Sequence, residues 1–310
     1  MPRPIVERGS WTVEKPSALG THDPRSTIHD RPVNVATALC QATELLEKDG
    51  ITAPRLTAEV LLAHALLCER VDLYAHPERE LTQVEQVHYG RYLNERLKRK
   101  PTQYITGHQE FYGREFRVTP AVLIPRPETE LVVAAALRHA RGAARVLDVG
   151  TGSGCLAITL KKELPKAVVF GSEVSYAALE LATENARRLD AAVEFFRADM
   201  LEACGSCAVD LIVCNPPYVS DDEMENLPPE VRDYEPALAL QGGEYGVEFY
   251  RRFLGSAARS LRPGGWLVVE LGHRSWPKIA PLVGGEWASC IVEPDLAGIE
   301  RVMAVQKNPA

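Results

Sequence analysis

Residues 144–160 read ARVLDVGTGSGCLAITL, and this stretch decides the fold. An apolar, β-branched run ends in glycines at 150, 152 and 154, and a helix-patterned segment follows at once. Glycines there let the backbone turn sharply and approach a ligand closely, while the next helix presents free N–H groups at its start. The strand, turn and helix together point to a nucleotide-like ligand. "GSGCLA" also fits the dinucleotide fingerprint, with Glu173 about 20 residues on where a ribose-binding carboxylate belongs, so a dehydrogenase stays open on the glycines alone.

The same alternation continues along the chain. Apolar strand candidates are "ARVLDV", "AVVFGS", "VEFFRA", "DLIVC", "GWLVVEL", "SCIVEP" and "ERVMAV"; helical patterns such as "SYAALELATENARRL" and "GVEFYRRFLGSAARSL" fill most gaps. This predicts an α/β fold, a seven-stranded, mostly parallel, doubly wound sheet. Only "DLAGI" separates the last two strands, too short for a parallel crossover, so they should form an antiparallel hairpin. Residues 33–100 are instead helical: "VNVATALCQATELLEKDG" ends on Gly50, "PRLTAEVLLAHALLC" opens with Pro54, and "LTQVEQVHYGRYLNERLKRK" stops before Pro101. The expected organisation is a disordered extension over 1–32, a small N-terminal helical domain over 33–100, a linker with a β-hairpin over 101–124 and the alternating α/β domain over 125–310. The helical domain is expected to recognise the substrate, because the α/β domain carries the whole expected ligand site.

Two features favour S-adenosylmethionine over a dinucleotide. Asp148, at the strand end, would put negative charge beside a pyrophosphate but suits a cofactor carrying an ammonium and a sulfonium. "RADML" places Asp199 and Met200 at a strand's C-terminal edge, where a carboxylate can accept from an adenine amino group and an apolar side chain can cover the ring. The expected cofactor site is therefore Gly150, Thr151, Gly152, Ser153, Gly154, Glu173, Asp199, Met200 and Asn215. Asn215 opens "NPPY" at 215–218, where two prolines remove two backbone donors and stiffen the strand exit. The Asn215 oxygen and Pro216 carbonyl can accept the two hydrogens of a planar NH2 group, and Tyr218 can pack on it. Asn215, Pro216 and Tyr218 are the expected catalytic residues, and Pro217 joins them in holding substrate.

Composition narrows the class further. The net charge is −7, with 11 Lys/Arg against 12 Asp/Glu over 33–119 and 19 against 26 over 120–310. Nucleic-acid enzymes carry Lys and Arg where phosphates lie, so no nucleic-acid partner is expected. No apolar run approaches a membrane span, and the seven scattered cysteines suit free thiols in a reducing cytoplasm. Cys204 and Cys207 form a CxxC without a second pair, so no metal is expected.

The order DxGTGSG, acidic residue, RADM, NPPY resembles class I S-adenosylmethionine-dependent methyltransferases acting on planar NH2 groups. "PRLTAEVLLAHALL", "YITGHQEFYGREFRV", "VLIPRPETELVV", "YEPALALQGG" and "LRPGGWLVVELG" resemble the bacterial release factor glutamine methyltransferases, the HemK/PrmC family, across residues 33 to 305. The resemblance implies methyl transfer from S-adenosylmethionine to the glutamine of the Gly-Gly-Gln motif in class 1 peptide chain release factors, giving N5-methylglutamine and S-adenosylhomocysteine. A sister group acting on a ribosomal protein shares NPPY but typically differs at "IPRPETE"; a DNA amino-methyltransferase would carry a basic recognition segment. The chain departs from the family with Glu173 in place of the usual Asp, Met200 where an aromatic residue is common, "GHRS" after the fifth strand, and "DLAGIER".

Overall fold

The computed structural model describes residues 33–140, 142, 144–206 and 208–309. The expected extension over 1–32 and Cys207 of the CxxC lie outside the described residues. The chain opens with helices α1 (Val35–Lys48), α2 (Pro54–Leu66), α3 (Arg70–Ala75), α4 (Gln83–Leu97) and α5 (Thr102–Thr106), then a hairpin of β1 (His108–Phe111) and β2 (Arg114–Arg117). Helix α1 buries Val35, Ala38, Leu39, Ala42 and Leu46, a helical stripe that packs with Leu61, Leu62 and Leu93 into a core of its own. Its first turn is capped by Asn34, whose side chain accepts from Thr37 N–H at 2.8 Å. Within residues 101–124, expected as a linker with a β-hairpin, Thr102–Thr106 form the short α5 ahead of the hairpin; it buries Tyr104 and ends at Gly107 with φ +81°.

The remainder alternates α6 (Glu130–His139), β3 (Arg145–Val149), α7 (Cys155–Glu163), β4 (Val168–Glu173), α8 (Tyr176–Arg188), β5 (Val193–Arg197) and β6 (Val209–Cys214). A short parallel pair, β7 (Val219–Ser220) and β8 (Gln241–Gly243), brackets α9 (Asp221–Glu225) and α10 (Pro229–Arg232). Helix α11 (Glu248–Ser260) and strands β9 (Leu261–Glu270), β10 (Trp287–Pro294) and β11 (Glu300–Lys307) complete the sheet. Its order is β10-β11-β9-β6-β3-β4-β5. The four pairings from β9 to β5 are parallel, and β11 runs antiparallel to both neighbours. All seven strands fall on the seven predicted runs, with the expected terminal hairpin.

Each central strand feeds two cores, because successive side chains leave opposite faces. Val146, Leu211, Val213 and Val268 point to the layer holding α6 and α7, whereas Leu147, Ile212, Leu267 and Val269 point to α11, which answers with Tyr250, Phe253, Leu254 and Ala257. Burying these side chains on both faces is worth roughly 1.5–3 kcal/mol apiece, so the sheet centre contributes much of the stabilising burial. From β3 the chain winds outward through β4 and β5, then returns to add β6 on the other side. The order reverses between β3 and β6, and in such sheets ligands bind outside the strand C-termini at that point.

Candidate active site

The pairing register puts the two informative motifs side by side. Val149 pairs with Cys214 across β3 and β6, so the glycine loop and NPPY leave the sheet as neighbours; Val149 also pairs with Ser172, which brings Glu173 to the loop's other flank. Above these ends lies a cavity of about 530 Å³, a size suited to a nucleoside-type ligand. Of the residues expected to bind, Gly150, Thr151, Gly152, Ser153, Glu173, Asp199, Met200, Asn215 and Pro217 line it. Gly154, Pro216 and Tyr218 do not. The opposite wall comes from Val122, Leu123 and Pro125 ahead of α6, and from Leu238, Gln241 and Phe249.

The loop is held from below by carboxylates. Asp148, buried beneath it, accepts from the Thr151 hydroxyl at 2.6 Å and Ala157 N–H at 3.1 Å. Asp148 is not a lining residue, so it acts through the loop's shape, and burial pushes its pKa up to about 7. Glu173 accepts from Gly152 N–H at 3.1 Å and from Val174 and Ser175 N–H. Gly150 and Thr151 N–H both donate to the Ser172 carbonyl, and Gly154 N–H to that of Thr151. Asn185, buried on α8, ties Ser153 and Arg117 together by donating to both carbonyls. Sequence reading missed Asn185, an uncharged polar residue on an otherwise apolar helix face.

NPPY sits in a tight frame. A Cβ on Gly242 would come within 2.8 Å of Tyr218 Cα and 2.9 Å of the Pro217 carbonyl. Gly242→Ala is therefore expected to cost about 1–3 kcal/mol in thermal unfolding, and to lower turnover more than cofactor affinity because NPPY is what must shift. Tyr218 turns away from the cavity: its ring lies over Gly272, where an added Cβ would approach Cδ2 to 2.8 Å, and its hydroxyl donates to Glu270 at 3.4 Å. The glycine at 272 provides the flat seat that draws the ring there.

Behind Asn215 runs a buried chain of hydrogen bonds. Asn215 Nδ2 donates to Thr129 Oγ1 at 3.1 Å, and the Thr129 hydroxyl donates to Glu270 Oε2 at 2.6 Å. Asn215 Oδ1 is buried and has no hydrogen-bond partner among the described residues. Glu270 is 1% exposed, and burial pushes its pKa up to about 7 from an ordinary 4.5. A raised carboxyl pKa contributes stability that is full below the unfolded value and is lost as pH rises through the folded one. Glu270→Gln has no charge to bury, so it should gain on the wild type between pH 5 and 8 by on the order of 3 kcal/mol, read from denaturant titrations at each pH.

No histidine or lysine lines the cavity among the described residues. Cys155 does, but burial pushes its thiol up to about 12, and the Cys214 thiol is raised well above its usual range, so neither is a thiolate nucleophile near neutrality. The site therefore offers placement and hydrogen bonding, without an evident strong base. Among the described residues no cluster suits a metal ion, and no helix is long and apolar enough to cross a membrane.

Residues 128–228, which carry the glycine loop and NPPY of this doubly wound sheet, match the model of the methyltransferase small domain, and the protein's class is that of a methyltransferase. Residues 37–107 match the PrmC N-terminal domain. The chain is 45% identical over 273 residues to a release factor glutamine methyltransferase of Koribacter versatilis, covering 87% of this chain and 97% of that protein. It is likewise 45% identical over 259 residues to the protein of that name from Geobacter sulfurreducens, covering 83% and 91%. The chain belongs to the release factor glutamine methyltransferase family. Among solved structures, the hMettl16 catalytic domain shares the fold at a TM-score of 0.50 with 16% identity, covering 73% of this chain and 83% of that one.

Proposed function

We propose that the protein methylates the side-chain amide nitrogen of the glutamine in the Gly-Gly-Gln motif of class 1 peptide chain release factors, giving N5-methylglutamine, with S-adenosylmethionine as donor. The observation that carries this reading is Asn215, a residue on the wall of a cavity floored by the glycine loop, whose Oδ1 is a buried acceptor without a partner among the described residues. A buried acceptor left bare costs about 1–3 kcal/mol, and a ligand N–H would recover it. The relatives' names supply the substrate class.

The lining residues fit that donor better than a dinucleotide. Four loop amides are already engaged by Glu173 and by carbonyls, so fewer remain for a pyrophosphate, and among the charged lining residues Glu173, Asp199 and Glu248 outnumber Arg252, which is itself paired with Asp199. Gly150 to Ser153 would hold the amino-acid part, Glu173 the ribose, and Asp199 and Met200 the adenine. When bound, S-adenosylmethionine supplies an electrophilic methyl group. An amide nitrogen is a weak nucleophile because its lone pair is delocalised, so rate must come from orientation and dipole placement. Asn215 Oδ1 would take one amide hydrogen and fix the nitrogen's direction, Pro217 would wall the substrate, and the proton would leave late; the Pro216 carbonyl, expected to take the other hydrogen, belongs to a residue off the cavity lining.

The helical region over 33–100 would recognise the release factor. It is tied to the segment between β7 and β8, part of which walls the cavity, where Arg96 pairs with Glu230 at 2.9 Å and Tyr234 donates to the Lys98 carbonyl at 2.6 Å. A cytoplasmic location follows from such a substrate. Calorimetry should show S-adenosylmethionine or S-adenosylhomocysteine binding with no binding of NAD, and labelled methyl should pass to purified release factor. Tight NAD binding alone, or transfer only to a ribosomal protein or to DNA, would overturn the reading.

A further inference from the structure

We infer that Thr129 is a positioning residue that decides which way the Asn215 amide faces, by standing between that amide and the Glu270 carboxyl. The inference rests on the glutamine methylation proposed above and explains how its acceptor is kept in place.

Thr129 stands at the start of α6, where a threonine hydroxyl ordinarily accepts from a backbone N–H of the first turn. Here it makes no such bond. Residue 129 is 1% exposed and its hydroxyl faces inward, between Asn215 and Glu270. A hydroxyl has one hydrogen. When Glu270 is ionised both its oxygens are acceptors, Oε2 from Thr129 and Oε1 from Tyr218, so in that form the Thr129 hydrogen is committed to Glu270 and its oxygen can only accept. The Asn215 group facing Thr129 must then be the NH2. Rotated by half a turn, the amide would set its oxygen against a hydroxyl with nothing to donate, and would present donors to an incoming NH2 group. The chain from Glu270 through Thr129 therefore leaves Asn215 Oδ1 for the substrate.

The reach of this arrangement is unusual for a helix start: Thr129 is 86 residues from Asn215 and 141 from Glu270 along the chain. It links the segment ahead of α6 to the ends of two central strands. Its role is confined to orientation, since Thr129 donates nothing to the substrate in this scheme. That sets it apart from a group serving the fold alone, whose loss would appear first in stability and binding.

The test compares wild type, Thr129→Val and Thr129→Ser with labelled S-adenosylmethionine and purified release factor, separating kcat from KM. Thr129→Val keeps the shape and loses the hydroxyl; its kcat should fall about 10- to 100-fold, the scale of a misplaced catalytic group, while KM and S-adenosylmethionine affinity stay within about twofold. Thr129→Ser should recover most of that loss. Wild-type kcat in Thr129→Val, a defect confined to KM or cofactor affinity, or Thr129→Ser as slow as Thr129→Val would overturn the inference. If Thr129→Val fails to fold, Thr129→Ala carries the same expectations.

A second readout does not depend on activity. The Asn215 side-chain amide resonance, assigned by its loss in Asn215→Ala, should exchange slowly in wild type and Thr129→Ser and fast in Thr129→Val. Equal exchange in all three refutes the inference. Absence of methyl transfer by the wild type would instead refute the proposed reaction and leave the exchange measurement to decide the role of Thr129.

Discussion

Asn215→Ala is expected to lower the methylation rate at saturating release factor and S-adenosylmethionine by about 10²- to 10³-fold, the scale of losing one preorganised hydrogen-bonding group from an active site. The variant removes the bare acceptor Oδ1 and the donor to Thr129 together. Its affinity for release factor should change little, because one side chain is a small part of a protein contact. Asn215→Asp separates the two ends of the amide. It keeps an acceptor but loses the Nδ2 hydrogens, so an oxygen would meet Thr129 Oγ1, which is already donating to Glu270. The new carboxylate also adds charge near buried Glu270, and this variant too should be strongly impaired. Steady-state kinetics on both variants decides; normal turnover in either would make Asn215 only part of a strand exit.

Gly154→Val should remove cofactor binding. Gly154 has φ +83°, and a Cβ there would meet Ile158 Cδ1 at 2.9 Å and Ala182 Cβ at 3.3 Å. A β-branched residue is strained at such a φ, and the added bulk must push α7 from α8; together these cost about 3 kcal/mol or more. Because Gly154 joins the loop to α7, the displacement falls on the Gly150 to Ser153 wall. Calorimetry with S-adenosylmethionine should show affinity reduced by about 100-fold or more, with a lowered unfolding temperature. Binding within a few-fold of wild type would show that the loop's shape does not set the site.

Much of this arrangement is legible in the sequence, and the reasons are local. The central runs stand out because central strands of a doubly wound sheet are buried on both faces and cannot hide among polar residues, while the half-exposed edge strands β5 and β10 are read from their β-branched and aromatic residues. The meeting of GTGSG with NPPY follows from strand order, and the two prolines announce a stiff exit. Thr129 and Asn185 are not legible in this way. Their partners are distant in the chain, and each reads as an ordinary helix residue until the fold brings its partner near. Glu270 did leave a sign: it is the one carboxylate in the apolar run "WLVVEL", and a charge buried in a central strand needs a partner or a purpose.

The differences are physical as well. Tyr218, expected to stack on the substrate group, lies over Gly272 and donates to Glu270, because a glycine leaves the ring a flat surface and the carboxylate gives its hydroxyl an acceptor. Asp148, read as a charge facing the cofactor, spends one oxygen on Thr151 and Ala157 beneath the loop. Thr102–Thr106 turn helical because Tyr104 finds a buried place and an acceptor in the Val122 carbonyl at 2.6 Å.

The most direct test of the central claim is to incubate the purified protein with labelled S-adenosylmethionine and an unmethylated class 1 release factor, and to map the product by tandem mass spectrometry. One methyl group on the side-chain nitrogen of the Gly-Gly-Gln glutamine, absent when Asn215→Ala replaces the wild type, is the expected result. Methyl on any other residue of the release factor, or none at all with a folded, cofactor-binding enzyme, would contradict it.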